Sequence, residues 1–326
     1  MAWLLARYTG LAIILVLLNF ALPRLLPGDP LDVDSAEGMN AAVSTLTAEA
    51  RAQLRATYHL DQPLTGQFWA YLQDLGHGDL GWSISQSAPV SQLIGERLPW
   101  TLALMLTALI IAGVGGTLLG LVSAWRGGRL DHLIVSTASG LAAIPEFLVA
   151  IALLLSFAVG LGWFPLHGGR SVFAPGPPGS AGPLGTFGDI AWHLTLPALT
   201  LVLAATASFV LLTRGMVQAI LTAPYLTTAR AKGLAEPAVA LRHAFPNALL
   251  PVLTLFGLRV GQVLGGAIVV ERVFAVPGLG LLAFEAIRAR DYPVLQAIFL
   301  LSSLGVLLVN LAADLAYRWL EPRRGG

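Results

Sequence analysis

Long apolar runs, broken by polar stretches, set the architecture of this chain. A membrane-crossing helix needs about 20 mostly apolar residues. Six stretches meet that length, at roughly 5–26, 99–124, 133–161, 193–221, 247–270 and 294–317. The pattern predicts an all-α, polytopic membrane protein with six transmembrane helices. The third stretch carries Pro145 followed by Glu146, and a proline there kinks a helix unless neighbours compensate. The first stretch follows Arg7 and resembles the apolar part of a signal peptide. It runs on into "RLLPGDP" without a small-residue cleavage site, so it reads as an uncleaved first helix.

The polar connections differ in kind. Residues 27–98 form a long first loop, in which "TAEARAQLRATYHL" has helical spacing of Ala, Leu and Tyr, with Thr47 as N-cap. Residues 162–190 are dense in Gly and Pro and read as an irregular loop. The chain is thus read as one transmembrane unit over 1–326. It has an N-terminal helix at about 5–26, an external loop at 27–98 and a five-helix core at about 99–317, with a polar segment at 222–246 inside that core.

Composition narrows the class. Of 326 residues, 56% are hydrophobic and 11% charged, whereas soluble domains run near about 25% charged. A net charge of +1 gives no basic face for nucleic acid. The absence of cysteine excludes disulfides, thiolate metal sites and cysteine nucleophiles. Arginines set the orientation. With the N-terminus in the cytoplasm, Arg126, Arg129, Arg214, Arg230, Lys232 and Arg242 fall inside, and most acids from Asp29 to Glu96 fall in the first outer loop. Both termini are then cytoplasmic.

Few residues offer chemistry. Glu146, Arg259, Asn310 and Asp314 lie within the apolar stretches, where an ionisable group is costly and faces a bundle interior or a water path. Glu146 is open to three readings: facing a translocation path, protonated, or paired. Arg259 needs a carboxylate or water, and Glu146 is one candidate. Asp314 is close enough to its helix end to reach the interface. The six histidines show no i, i+4 pair and no HExxH, so no metal site is read. "PGLG" at Pro277 to Gly280 is too short for a phosphate loop and reads as a tight turn. With no GxxxxGK[ST] and no GxSxG, neither ATP binding nor a serine hydrolase is supported.

The segment "APYLTTARAKGLAEPAVALRHAFPNALLP", Ala223 to Pro251, holds the chain's only lysine, Lys232. Helix formers run from Pro224 to Lys232. Gly233 ends the run in a position suited to positive φ. A second short helix can start near Glu236 and Pro237. Helix, glycine turn and helix make a compact knob suited to a groove on another protein. Arg230 and Lys232 equally fit a topology signal, and the two roles are compatible.

This segment resembles the cytoplasmic coupling loop of permease subunits in binding-protein-dependent ABC transporters. The family pattern is Glu-Ala-Ala, three residues, Gly, then a later Pro. Here it reads Thr227-Thr228-Ala229, Arg230-Ala231-Lys232, Gly233 and Pro246. Threonine in place of the acid is usual in the dipeptide, oligopeptide and nickel branch, as is "TARAKGL" followed by "HAxxNAxxP", here Thr228 to Leu234 and His243 to Pro251. Ala223-Pro224 stand where an acid often precedes the tyrosine, Tyr225. "RLLPGDP", "LDQPL", "HGDLG", "ERLPWTLAL", "ERVFAVPGLG", "RDYPVLQ" and "NLAADLAYRWLEPR" resemble the first-permease type of that branch.

The resemblance implies a type I ABC importer permease in a bacterial or archaeal cytoplasmic membrane, surrounded by lipid and without its own ATP site. Its implied partners are a second, homologous permease subunit forming a heterodimer, two cytoplasmic ATPases that use ATP and Mg, and an external substrate-binding protein. The coupling loop would comprise Tyr225, Ala229, Arg230, Ala231, Lys232, Gly233, Leu234, His243 and Asn247. Glu146 and Arg259 are candidates for the path. The solute would be a di- or oligopeptide, with nickel chelates or glutathione-like compounds as the alternative. Two other classes stay in view: a proton-coupled secondary transporter using Glu146 and Asp314, and an intramembrane enzyme, for which no dyad has convincing spacing.

Overall fold

The computed structural model describes residues 2–25, 49, 61–171, 182–224, 226, 231, 233, 235–239, 245–263 and 265–320. The helix expected around Thr47 lies almost wholly outside them. Among the described residues eleven α-helices carry the fold: α1 (Ala2–Leu25), α2 (Leu64–Gly76), α3 (Val90–Arg126), α4 (Gly128–Ala143), α5 (Glu146–Leu153), α6 (Gly182–Leu221), α7 (Glu236–Val239), α8 (Phe245–Val263), α9 (Ile268–Val273), α10 (Leu279–Ala289) and α11 (Tyr292–Leu320). A two-stranded antiparallel hairpin, β1 (Trp82–Ser83) with β2 (Ala88–Pro89), precedes α3.

Each of the six apolar stretches falls on a helix or a helix pair. By length and hydropathy four described helices can cross a membrane, five if the bent α4–α5 pair counts as one span, and α8 contributes a shorter apolar helix. The boundaries depart from the sequence reading in three places. The third stretch is not one kinked helix: α4 and α5 meet at 96°. Pro145 causes this, because it pushes Ile144 to an extended conformation, φ −86° and ψ 122°. The chain after α5 widens into a π-helical stretch, Leu154–Gly160. The fifth stretch ends at Val263 rather than 270, since Gly266 at φ +73° breaks the run before α9. The Gly/Pro-rich loop is shorter than expected: α6 already begins at Gly182, with Pro183 in its first turn. The 40 residues of α6 extend about 60 Å.

The central packing is α3 against α6. Gly116 and Gly120 lie on the contact face, where a Cβ on Gly116 would come 2.6 Å from the Phe209 Cβ and 2.9 Å from the Thr206 carbonyl oxygen. A Cβ on Gly120 would lie 2.6 Å from the Val210 carbonyl oxygen. Small residues at this spacing let two backbones approach closely, as membrane helix packing requires. α8 joins them through Leu109, Ala112, Phe209, Val252 and Val263, all buried. Polar contacts fasten the periphery. Asp314 of α11 accepts from Arg7 at 2.5 Å and from the Tyr8 hydroxyl at 2.9 Å, pinning α1. Asp131 of α4 accepts a forked pair of bonds from Arg214 of α6, at 2.5 and 2.7 Å, and one from Ser123 of α3 at 2.5 Å.

Gly120→Val should remove the close crossing. The expected result is loss of the monodisperse peak when detergent-solubilised protein is run on a sizing column. Gly115→Ala, with nothing within 4 Å of its added Cβ, should keep that peak.

Candidate translocation site and coupling segment

Bending the third stretch at Pro145 places Glu146 in the first turn of α5. There it lines a cavity of about 320 Å³ with Met105 and Leu109 of α3, Leu201 of α6, and Arg259 and Gln262 of α8. The two path candidates are thus brought to one cavity. They do not close on each other: among the described ion pairs none joins them. The guanidinium instead reaches Gln262 Oε1 at 3.4 Å and Ser208 Oγ at 3.5 Å, long contacts to neutral groups. Asp314 is not part of this cavity; Arg7 and Tyr8 occupy it elsewhere.

Next along the chain from the cavity residues Gly266 and Ala267 comes a carboxylate the sequence reading passed over. Glu271 of α9 is fully buried. Its Oε1 accepts from the Thr101 hydroxyl of α3 at 2.8 Å, and its Oε2 accepts from the Leu281 backbone N–H at 3.0 Å. The Leu279 N–H donates to the same Thr101 oxygen at 2.7 Å. One carboxylate and one hydroxyl therefore satisfy two of the free amides at the start of α10, where a negative charge also suits the helix dipole. The cage fits only glycine. A Cβ at Gly278 would lie 2.4 Å from the Glu271 Cδ, and one at Gly266 would lie 2.7 Å from the Gly280 nitrogen. "PGLG" is therefore a buried helix start closed over a carboxylate, which corrects its reading as a simple tight turn. A signal was present: an acid seven residues before Gly278-Leu279-Gly280. It lay just past the assumed end of the fifth stretch.

A second polar cluster sits on the hairpin. Asp291, 1% exposed, accepts from the Ser83 hydroxyl at 2.6 Å and from the Ser85 hydroxyl and N–H at 2.7 and 2.9 Å. It ties the hairpin to the start of α11. Among the described residues no group of His, Cys, Asp and Glu could hold a metal.

Of the coupling-loop candidates, Ala231 and Gly233 are described, and both are exposed. Gly233 has φ +78° with nothing within 4 Å of an added Cβ, so backbone conformation alone demands glycine. Asn247 lies in the first turns of α8. Tyr225, Ala229, Arg230, Lys232, Leu234 and His243 lie outside the described residues. The segment is seated by Leu226 and Val239, both fully buried, packed against Ile220 and Leu221 at the end of α6. A helical start follows Ala235, whose carbonyl accepts from the Ala238 and Val239 N–H groups.

Residues 116–326 match the family described as binding-protein-dependent transport system inner membrane component. The chain belongs to that family. Its members are ABC importer permeases: transport subunits without an ATPase domain, working with ATPase subunits that use ATP and Mg and with a substrate-binding protein. Similar proteins include the glutathione transport system permease protein GsiC of Pectobacterium atrosepticum, 38% identical over 312 residues, covering 95% of this chain and 93% of that one. The protein of that name from Escherichia coli strain K12 is 37% identical over 311 residues, covering 95% and 93%. The one from Salmonella paratyphi A is 37% identical over 325 residues, covering 98% and 97%. The helical, membrane-embedded fold expected from the apolar pattern is that of this family, which is a component of the inner membrane.

Thr101→Val keeps side-chain shape but removes the hydroxyl. It should strand the Leu279 N–H and one Glu271 oxygen, each unmet buried group costing about 1–3 kcal/mol. The midpoint of thermal unfolding in detergent should fall clearly below that of the wild type, and Thr101→Ser should restore most of the loss.

Proposed function

We propose that this chain forms half of the translocation path of an ATP-driven importer of peptide-like solutes, and that the segment 222–246 couples it to the ATPases. The observation that carries the proposal is the seat of Gly233. A left-handed glycine turn stands exposed beside short helical pieces, while Leu226 and Val239 anchor the segment to the end of α6. Force applied to such a knob passes directly into α6, and from α6 through the close crossing into α3.

In this reading both termini are cytoplasmic, the partner permease is a homologous but different chain, and the whole of residues 1–326 acts as one permease unit. ATP binding closes the two ATPases. The knob follows the closure because its contacts differ between the two ATPase states, which is the only way a ligand shifts an equilibrium. The path opens outward, takes solute from the binding protein, and returns after hydrolysis. Arg230 and Lys232 meet acidic groups on the ATPase, Tyr225, Ala229, Ala231 and Leu234 complete the knob, and His243 and Asn247 fix its junction with α8. Glu146 and Arg259 line the path. The glutathione transport named for the relatives favours short peptides of that kind over nickel chelates. Engagement of Asp314 by Arg7 and Tyr8 speaks against a proton relay from Glu146 to Asp314.

Gly233→Val should cost the turn about 1–2 kcal/mol through its left-handed backbone. In proteoliposomes holding both permeases and both ATPases, stimulation of ATP hydrolysis by loaded binding protein should drop several-fold while membrane insertion persists. Normal stimulation and uptake by this variant would refute the coupling role.

A further inference from the structure

Glu146 and Arg259 form an unusual arrangement for two opposite charges in an apolar bundle. Such charges normally close into an ion pair, since an unpaired charge in this setting is expensive. Here they are held apart by the fold. Glu146 is fixed at the start of α5 by the 96° turn at Pro145. Arg259 is drawn aside by Gln262 and Ser208. Both line a cavity of about 320 Å³ whose remaining wall is apolar apart from Gln262, with Met105, Leu109 and Leu201 beside the small Ala108, Ala204 and Ala267. That volume is at the lower end of small-molecule sites, about 300–1,000 Å³. Its polarity has a direction, negative on the α5 side and positive on the α8 side.

We propose that this cavity is a recognition site within the path for zwitterionic peptide-type solutes, with the α-ammonium group directed to Glu146 and the carboxylate to Arg259. The inference rests on the translocation-path reading above and adds to it the chemistry of what passes. A solute with both termini free completes both half-pairs, replacing the water each charge gives up. A solute with one terminus blocked leaves one charge unmatched in a site of low dielectric and is disfavoured. Arg259 suits this task because its guanidinium can hold a carboxylate with two parallel bonds. The site selects by the two ends of the solute and leaves its side chains unread.

The test uses the complete transporter, with both permeases and both ATPases, in nanodiscs without the binding protein. Retention of radiolabelled trialanine, N-acetyl-trialanine and trialanine amide is measured by equilibrium dialysis at millimolar peptide. Trialanine should be retained roughly tenfold better than either blocked form, the weight of one charge-assisted hydrogen bond. Arg259→Gln should reduce trialanine to the level of the amide, and Glu146→Gln to that of the acetylated form. The exchanged pair Glu146→Arg with Arg259→Glu should recover part of the preference for free termini. Equal retention of all three peptides by the wild type, including retention of none, would overturn the inference. ATP hydrolysis after loaded binding protein is added to the same nanodiscs reports separately on the translocation-path reading: stimulation with equal peptide retention sinks only the recognition site, and no stimulation of the wild-type complex sinks the path reading itself.

Discussion

Where α3 and α6 cross, Gly116 and Gly120 bring one backbone against the other with no room for a single added carbon. The rest of the core is placed relative to that crossing. α8 fills the groove beside it through Val252 and Val263, and Phe209 lies fully buried among all three helices. α4 is fastened to the crossing by Asp131, which takes bonds from both α3 and α6. Apolar burial supplies little drive between helices in lipid, so close van der Waals approach and buried hydrogen bonds must carry the association. The glycines permit the first, the Glu271 network supplies the second, and the part-buried Asp131 bonds add to it.

The same crossing connects the two candidate regions. Its α3 and α6 faces contribute Met105, Leu109 and Leu201 to the charged cavity. One end of α6 receives Leu226 and Val239 from the segment around Gly233. One helix, α6, thus carries both the seat of that segment and the cavity residue Leu201. The bend at Pro145 has the complementary effect. It breaks a membrane helix at the point where Glu146 must face inward, and non-helical backbone at such a depth is tolerated where protein or a cavity surrounds it.

Much of this was legible from apolar periodicity. All six hydrophobic stretches correspond to helices, because a run of about 20 apolar residues has few alternatives to a spanning helix. Gly233 was legible too, since a glycine after helix formers and before Glu236-Pro237 marks a left-handed stop. The places where the sequence reading fell short share one physical cause: tertiary contacts decided them. Pro145 could kink or break its helix, and only packing against α6 and α9 selects a 96° turn. The Glu271 cage joins residues 170 and 178 positions apart, beyond the reach of local pattern. α2 and the β1–β2 hairpin lay in the long first loop, where a helix was expected only around Thr47; Asp291 from the far end of the chain holds the hairpin, and Asn19 and Phe20 of α1 meet Tyr71 and Phe68 of α2. Glu146 and Arg259 were individually visible as costly charges, yet their sharing of one cavity without pairing is a property of the fold.

The central claim is that the exposed turn around Gly233 transmits the ATPase cycle to the path. The chain contains no cysteine, so Ala231→Cys places a single thiol on that exposed turn without other changes. Paired with single cysteines in the groove of a cysteine-free ATPase, it can be cross-linked in the assembled transporter with and without trapped nucleotide. The account predicts efficient cross-linking whose preferred ATPase position shifts between the two states. Absence of any cross-link in a transporter that still hydrolyses ATP in response to loaded binding protein would contradict it.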